Sequence, residues 1–125
     1  MATTFPTPDQ SRDEIDRVIR AAISRRTPLW AIYDGRSRLL CPHMIGRNRE
    51  GQVRILCLQV GGESISGLQR SDGAGDWRCL ALEKLSSVKW AEDMPWQTGG
   101  NSLRRPKCMD QIELQVKDQP ERDPQ

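Results

Sequence analysis

Ile15, Val18, Ile19, Ala22 and Ile23 recur at i, i+3, i+4, i+7 and i+8, which places them on one stripe of a helix. The "SRDE" ahead of them sets Ser11 as an N-cap with Glu14 three residues on, a capping box. Asp13 with Arg17 and Asp16 with Arg20 are acid-before-base pairs one turn apart. Arg25 and Arg26 suit the negative end of the helix dipole, and Pro28 stops the run. The pattern predicts a helix from about Arg12 to Arg26. Beyond it the apolar runs become short and β-rich. "LWAIY" meets Asp34-Gly35, a tight-hairpin dipeptide, and "RSRLLC" returns as far as Pro42. "QVRILCLQV", from Gln52 to Val60, is the most apolar run and reads as a central strand. "WRCLAL" (Trp77 to Leu82) and "SSVKW" (Ser86 to Trp90) complete five strands. One helix followed by five short strands predicts an α+β domain, a small, strongly bent antiparallel sheet or barrel with the helix over one mouth. Farther on, "QIELQV" alternates Ile112, Leu114 and Val116, as a strand added at an edge would.

These 125 residues fit one domain. Residues 1–10 read as a flexible leader, 11–92 as the folded unit, 93–116 as a surface excursion with the extra strand, and 117–125 as a disordered polar tail. With 36% hydrophobic and 29% charged residues, no apolar run approaches the roughly 18 residues of a membrane span. "MATTFPTPDQ" has no charged segment leading into an apolar one, so a cytoplasmic location is the default and no membrane partner is expected.

Net charge is only +2, yet Arg12 to Arg54 holds ten basic and five acidic residues. "RSR" (Arg36 to Arg38) and "RNREGQVR" (Arg47 to Arg54) would suit an anionic ligand or nucleic acid, or form the solvated face of a basic hairpin. Cys41, Cys57, Cys79 and Cys108 lack the close pairs from which zinc sites draw sulfurs. Three of them fall in apolar runs, so buried, reduced thiols are expected, with no metal and no cofactor.

"QVGGESISG" (Gln59 to Gly67) raises the question of chemistry. Neither Ser64 nor Ser66 has the Gly-x-Ser-x-Gly frame or following helix of a nucleophile turn, and His43 is the single histidine. No lysine precedes Lys84, so a P-loop is excluded. What remains is an anion-binding nest at Gly61, Gly62, Ser64, Ser66 and Gly67, or a plain hairpin loop from Gly61 to Gly75. With no catalytic constellation, no enzyme is expected. His43 should make a structural bond to backbone. Trp30, Trp77 and Trp90 lie in strands and should pack in the core, while Trp96 should be exposed or clamp the tail. Arg38 and Arg78 sit within strands, where they point to solvent, pair with acids such as Glu83, or line an anion-binding groove.

The helix ending "AISRR", the "IYDG" turn, "RLLCPH" with Arg38 four residues before Pro42, and the "WRCLALEKL" strand together resemble the WYL domain family. These are Sm-like small barrels often attached to bacterial transcription regulators and defence-associated proteins. The resemblance covers about residues 12–92, as a stand-alone version without a helix-turn-helix. It departs from the family where the Trp-Tyr-Leu strand reads "VRILCLQV" and where Ala81 replaces an expected Arg. The resemblance implies a five-stranded Sm-like barrel that senses ligands through a basic groove, among them nucleotides or single-stranded nucleic acid. Carried over by position, Arg38, Arg78 and Lys84 would contact phosphate, Tyr33 would support them, and the Gly61–Gly67 loop would close over the site. A protein-interaction or homo-oligomerisation module, using an edge strand and the Trp96 segment, is the alternative.

Overall fold

The computed structural model describes residues 10–62, 76–98 and 107–116. Helix α1, Arg12–Arg25, starts where the sequence places it: the Ser11 hydroxyl accepts the Glu14 N–H at 3.1 Å. It ends one residue early, because Arg26 turns left-handed (φ 52°) and returns its N–H to the Ala22 carbonyl. Ile15, Ile19, Ala22 and Ile23 are buried, so the apolar stripe is the face that meets the sheet.

Six antiparallel strands follow: β1 Leu29–Tyr33, β2 Arg36–Arg47, β3 Val53–Gly62, β4 Asp76–Ala81, β5 Leu85–Trp90 and β6 Gln111–Gln115. A 3-10 turn, Leu82–Lys84, joins β4 to β5. The order across the sheet is β4-β3-β2-β1-β5, with β6 also on β2. The β1–β2 turn has positive φ at Asp34 (55°) and Gly35 (74°), the pairing that matches strand twist in a two-residue hairpin. Among the described residues β4 and β5 do not pair, so the sheet is bent but not closed. No helix among them is long and apolar enough to cross a membrane.

Strand β2 corrects one expectation. It does not end at Pro42 but runs through it to Arg47. Its Leu40 is the last residue paired with β1, and its Met44 the first paired with β6. Pro42 therefore falls in the gap between two neighbours, beside a register shift against β3, where its missing N–H costs no ladder bond. β3 likewise extends beyond the expected loop boundary to include Gly61 and Gly62.

β3 is buried on both sides, as a central strand should be. Ile55 and Cys57 join the main core beneath α1, with Leu29, Leu40, Ile45 and Leu80. Leu56 joins a second cluster with Met44 and Met109, against which Trp77, Cys108 and Ile112 pack. The segment after β5 thus returns to cover the opposite face of the sheet. There the cysteine expectation is overturned: Cys79 of β4 and Cys108 form a disulfide, with Cα atoms 6.6 Å apart. Cys41 and Cys57 are the buried free thiols, and burial pushes the Cys57 thiol well above its ordinary range. The apolar character of "WRCLAL" hides that Cys79 faces outward, where Cys108 can reach it.

Charge fixes β6 to the rest. Glu113 accepts from Arg20 of α1 at 2.6 Å and from Arg47 of β2 at 2.8 Å, while Arg20 also holds Asp16. The Arg20 and Arg47 hydrogen bonds hold the Glu113 carboxyl below its ordinary value of 4.5. A carboxyl depressed on folding contributes stability above its unfolded pKa and loses it as pH falls through the folded one. Acid titration is expected to cost the wild type about 1 kcal/mol more than Glu113→Gln below pH 4.5, a modest figure because the group is partly exposed. Urea midpoints at pH 7 and pH 3 measure this; parallel losses in both proteins would remove the network from the account.

Candidate anion site

At the end of the concave face not filled by aliphatic side chains, four polar residues from four strands come together. Arg38 of β2 donates to Gln59 Oε1 at 3.3 Å, and its guanidinium lies over the Tyr33 ring of β1, 5.2 Å from the centroid. Gln59 of β3 in turn donates to the Gly61 carbonyl at 3.1 Å. Arg78 of β4 stands directly opposite Cys57, on the core-facing side of the sheet, and is close enough to act on Arg38 electrostatically. The two arginines named from the sequence thus lie near each other on one face of the sheet. Gln59 went unnoticed in the sequence, although it is the one polar residue in the apolar "ILCLQV" run.

Arg38 is only 5% exposed, and Gln59 is fully buried. Burial, then the like charge of Arg78, lower the Arg38 pKa; Asp34 acts in the opposite sense but forms no ion pair with it. Glu83, the acid expected to neutralise a strand arginine, instead meets Arg54 at 3.5 Å. The Arg38 Nε is buried and donates to nothing among the described residues. A guanidinium remains protonated at any ordinary pH, so this is a buried positive charge whose hydrogen-bonding capacity is incompletely used.

Tyr33 does more than support the arginine. Its hydroxyl accepts the Ala81 N–H at 3.1 Å, linking β1 to the end of β4 across the open side of the sheet. Gly62 pairs with Arg38 in the β2–β3 register and has a positive φ of 85°. A Cβ there would run into the Ser37 carbonyl and come 2.6 Å from the Arg38 Cα. Glycine thus permits β3 to approach β2 closely at Arg38. Gly61 and Gly62 are strand residues that shape the site, rather than the start of a loop. Ser64 and Ser66 lie outside the described residues.

Lys84 does not join the cluster through any hydrogen bond or ion pair among the described residues. It is exposed on the 3-10 turn, next to Leu85, the register partner of Tyr33. Of the basic stretch, Arg47 and Arg54 are committed to Glu113 and Glu83, whereas Arg38 belongs to the buried cluster. His43 behaves as expected. Its Nδ1 donates to the Cys41 carbonyl at 2.8 Å, which fixes the tautomer, and burial lowers its pKa. Trp77 meets its ring edge-on and Trp96 stacks on it, with centroids 4.9 and 4.7 Å away. Trp96 is therefore packed against the core, whereas Trp30, expected inside, is 36% exposed.

The fold and this cluster define an α+β chain with a bent antiparallel sheet and a buried, positively charged polar cluster. No known protein family, curated protein or solved structure matches the chain.

Proposed function

We propose that this protein is a non-enzymatic binding module for an anionic ligand, with Arg38, Arg78, Gln59 and Tyr33 forming the site and Lys84 at its rim. The carrying observation is Arg38, a guanidinium 5% exposed, facing a second arginine and ion-paired to no carboxylate among the described residues. Such a group is costly to bury alone, and an anion delivered from solution would offset that cost. The strand order β4-β3-β2-β1-β5 behind one N-terminal helix supports an Sm-like, WYL-type topology, left open between β4 and β5, and with it a ligand-sensing role in regulation. A cytoplasmic location belongs to the same proposal; the Cys79–Cys108 bond weighs against it, since disulfides persist best in oxidising compartments.

The test uses inorganic phosphate as the probe. Thermal unfolding of the wild type should shift upward with phosphate, by about 2.7 kcal/mol of stabilisation at a hundred times Kd. Arg38→Met should abolish the dependence while keeping or raising ligand-free stability, because an uncompensated buried charge has gone. A variant that responds like the wild type, or a wild type that does not respond, would overturn the reading.

Self-association is a second reading. It is favoured by the outer edges of β4 and β5, with which no strand pairs among the described residues.

A further inference from the structure

On the outer face of β1, away from Arg38, the β1–β5 ladder contains an irregularity. Leu29 pairs with Trp90 and Trp30 with Lys89, but Ile32 pairs with Ser86. Two steps along β1 therefore match three along β5, so β5 carries one extra residue. Ser87 takes it up by turning left-handed, with φ 49°. Such a conformation costs a non-glycine residue of order 1 kcal/mol and persists where its surroundings enforce it. The enforcement is visible at Val88, whose N–H donates to Gln10 Oε1 at 2.7 Å and whose carbonyl accepts from Gln10 Nε2 at 3.1 Å.

The bulge leaves Ser86 and Ser87 both exposed while Val88 stays in the core. Beside it opens a hollow of about 410 Å³ lined by Trp30, Ala31, Ile32, Ser37, Ser87 and Lys89. Trp30 is the exposed large hydrophobic residue among the described ones. Lys89 is its cross-strand neighbour, exposed and in no ion pair among the described residues. Among the described residues the lining thus combines an indole face, two hydroxyls and one ammonium, with no carboxylate. Its volume falls in the range of small-ligand sites.

We infer that this hollow is a second binding site, for a nucleobase carrying a phosphate. The base stacks on Trp30, the phosphate lies against Lys89, and Ser37 and Ser87 supply hydrogen bonds. Aromatic side chains beside basic ones hold bases in this way without reading sequence, because every base offers a π-face. An apolar protein surface would satisfy Trp30 equally well, but it would leave Lys89 without the anion that a described lining free of carboxylates calls for. The site is independent of the Arg38 cluster, which lies on the other face of the sheet.

Two sources present this chemistry, a free mononucleotide and a single strand of nucleic acid. The full chain is therefore titrated at low salt with AMP and, separately, with a fluorescein-labelled oligothymidylate. Binding of either probe is expected. Saturation by AMP identifies the free nucleotide as sufficient; binding of the oligonucleotide alone identifies the strand. Trp30→Ala should weaken binding roughly 5- to 100-fold, the range for loss of one stacked base, and Trp30→Phe should recover most of it. Lys89→Gln should reduce the slope of log affinity against log salt for the oligonucleotide by about 0.7. Failure of both probes to bind the wild type overturns the inference. So does equal binding by wild type and Trp30→Ala.

Discussion

Replacing both Cys79 and Cys108 by serine is expected to lower folding stability by about 3–4 kcal/mol. The bond joins residues 29 apart in sequence. Closing a loop of that length removes roughly 12 cal/mol/K of entropy from the unfolded chain, which is the basis of the figure. The loop encloses the end of β4, the 3-10 turn and β5. Its far end brings Met109 onto Met44 and Leu56, so the same bond holds the small outer cluster in place. Against a total stability of 5–15 kcal/mol for a domain of ordinary size, such a loss is large. Urea unfolding of wild type and double variant, each with and without dithiothreitol, measures it. Reductant should bring the wild type to the variant's midpoint and leave the variant unmoved. A wild type indifferent to reductant would remove the bond from the stability account. Thiol counting gives a parallel readout: none reactive in the native oxidised protein, two after unfolding, four after unfolding and reduction.

Gly46→Ala is expected to cost at least as much, about 3–5 kcal/mol. Gly46 lies in β2 between Arg54 of β3 and Ile112 of β6, within both ladders. A Cβ there would collide with the Gln111 carbonyl and sit 2.8 Å from the Met109 sulfur. The methionine could rotate away. The Gln111 carbonyl belongs to β6 itself and cannot yield without breaking the pairing, which is why overpacking here exceeds its usual cost. Loss of β6 would also release Glu113 from Arg20 and Arg47. Circular dichroism melts measure the effect, and Gly51→Ala serves as a control. Its positive φ imposes strain, but no neighbour lies within 4 Å of its would-be Cβ. Equal costs at the two positions would mean that close approach is not what Gly46 secures.

Much of this fold is legible along the chain because local signals agree with the final packing. The helix carries its cap and its stripe together, and Asp34-Gly35 adopts the two left-handed residues that its turn requires. Where the reading fails, the determinant lies in another segment. Pro42 looks like a strand end until β1 and β6 are seen to share one edge of β2 on either side of it. Cys79 looks like core because its neighbours are apolar; it takes Cys108, beyond β5, to reveal its outward direction. Trp30 looks buried because its strand is, yet alternation within the strand turns it outward. At the candidate site, Arg38, Arg78 and Tyr33 could be picked out by position. Gln59 could not, because its importance arises from the arginine it meets across the ladder.

The change of partner along β2 also bears on how the edge of the sheet is held. Residues 36–40 are secured by β1 and the main core, whereas 44–47 depend on β6 for their other edge. Between them, the His43 carbonyl still reaches the Val116 N–H, the last main-chain bond before the exchange. Ile45 and Val116 nevertheless join the main core, and Glu113 is held by Arg20 of α1, so the β6 end is welded to the larger part by packing as well as by pairing. The disulfide adds a covalent tether at the same end, so that a segment that frays there remains beside the surface it left.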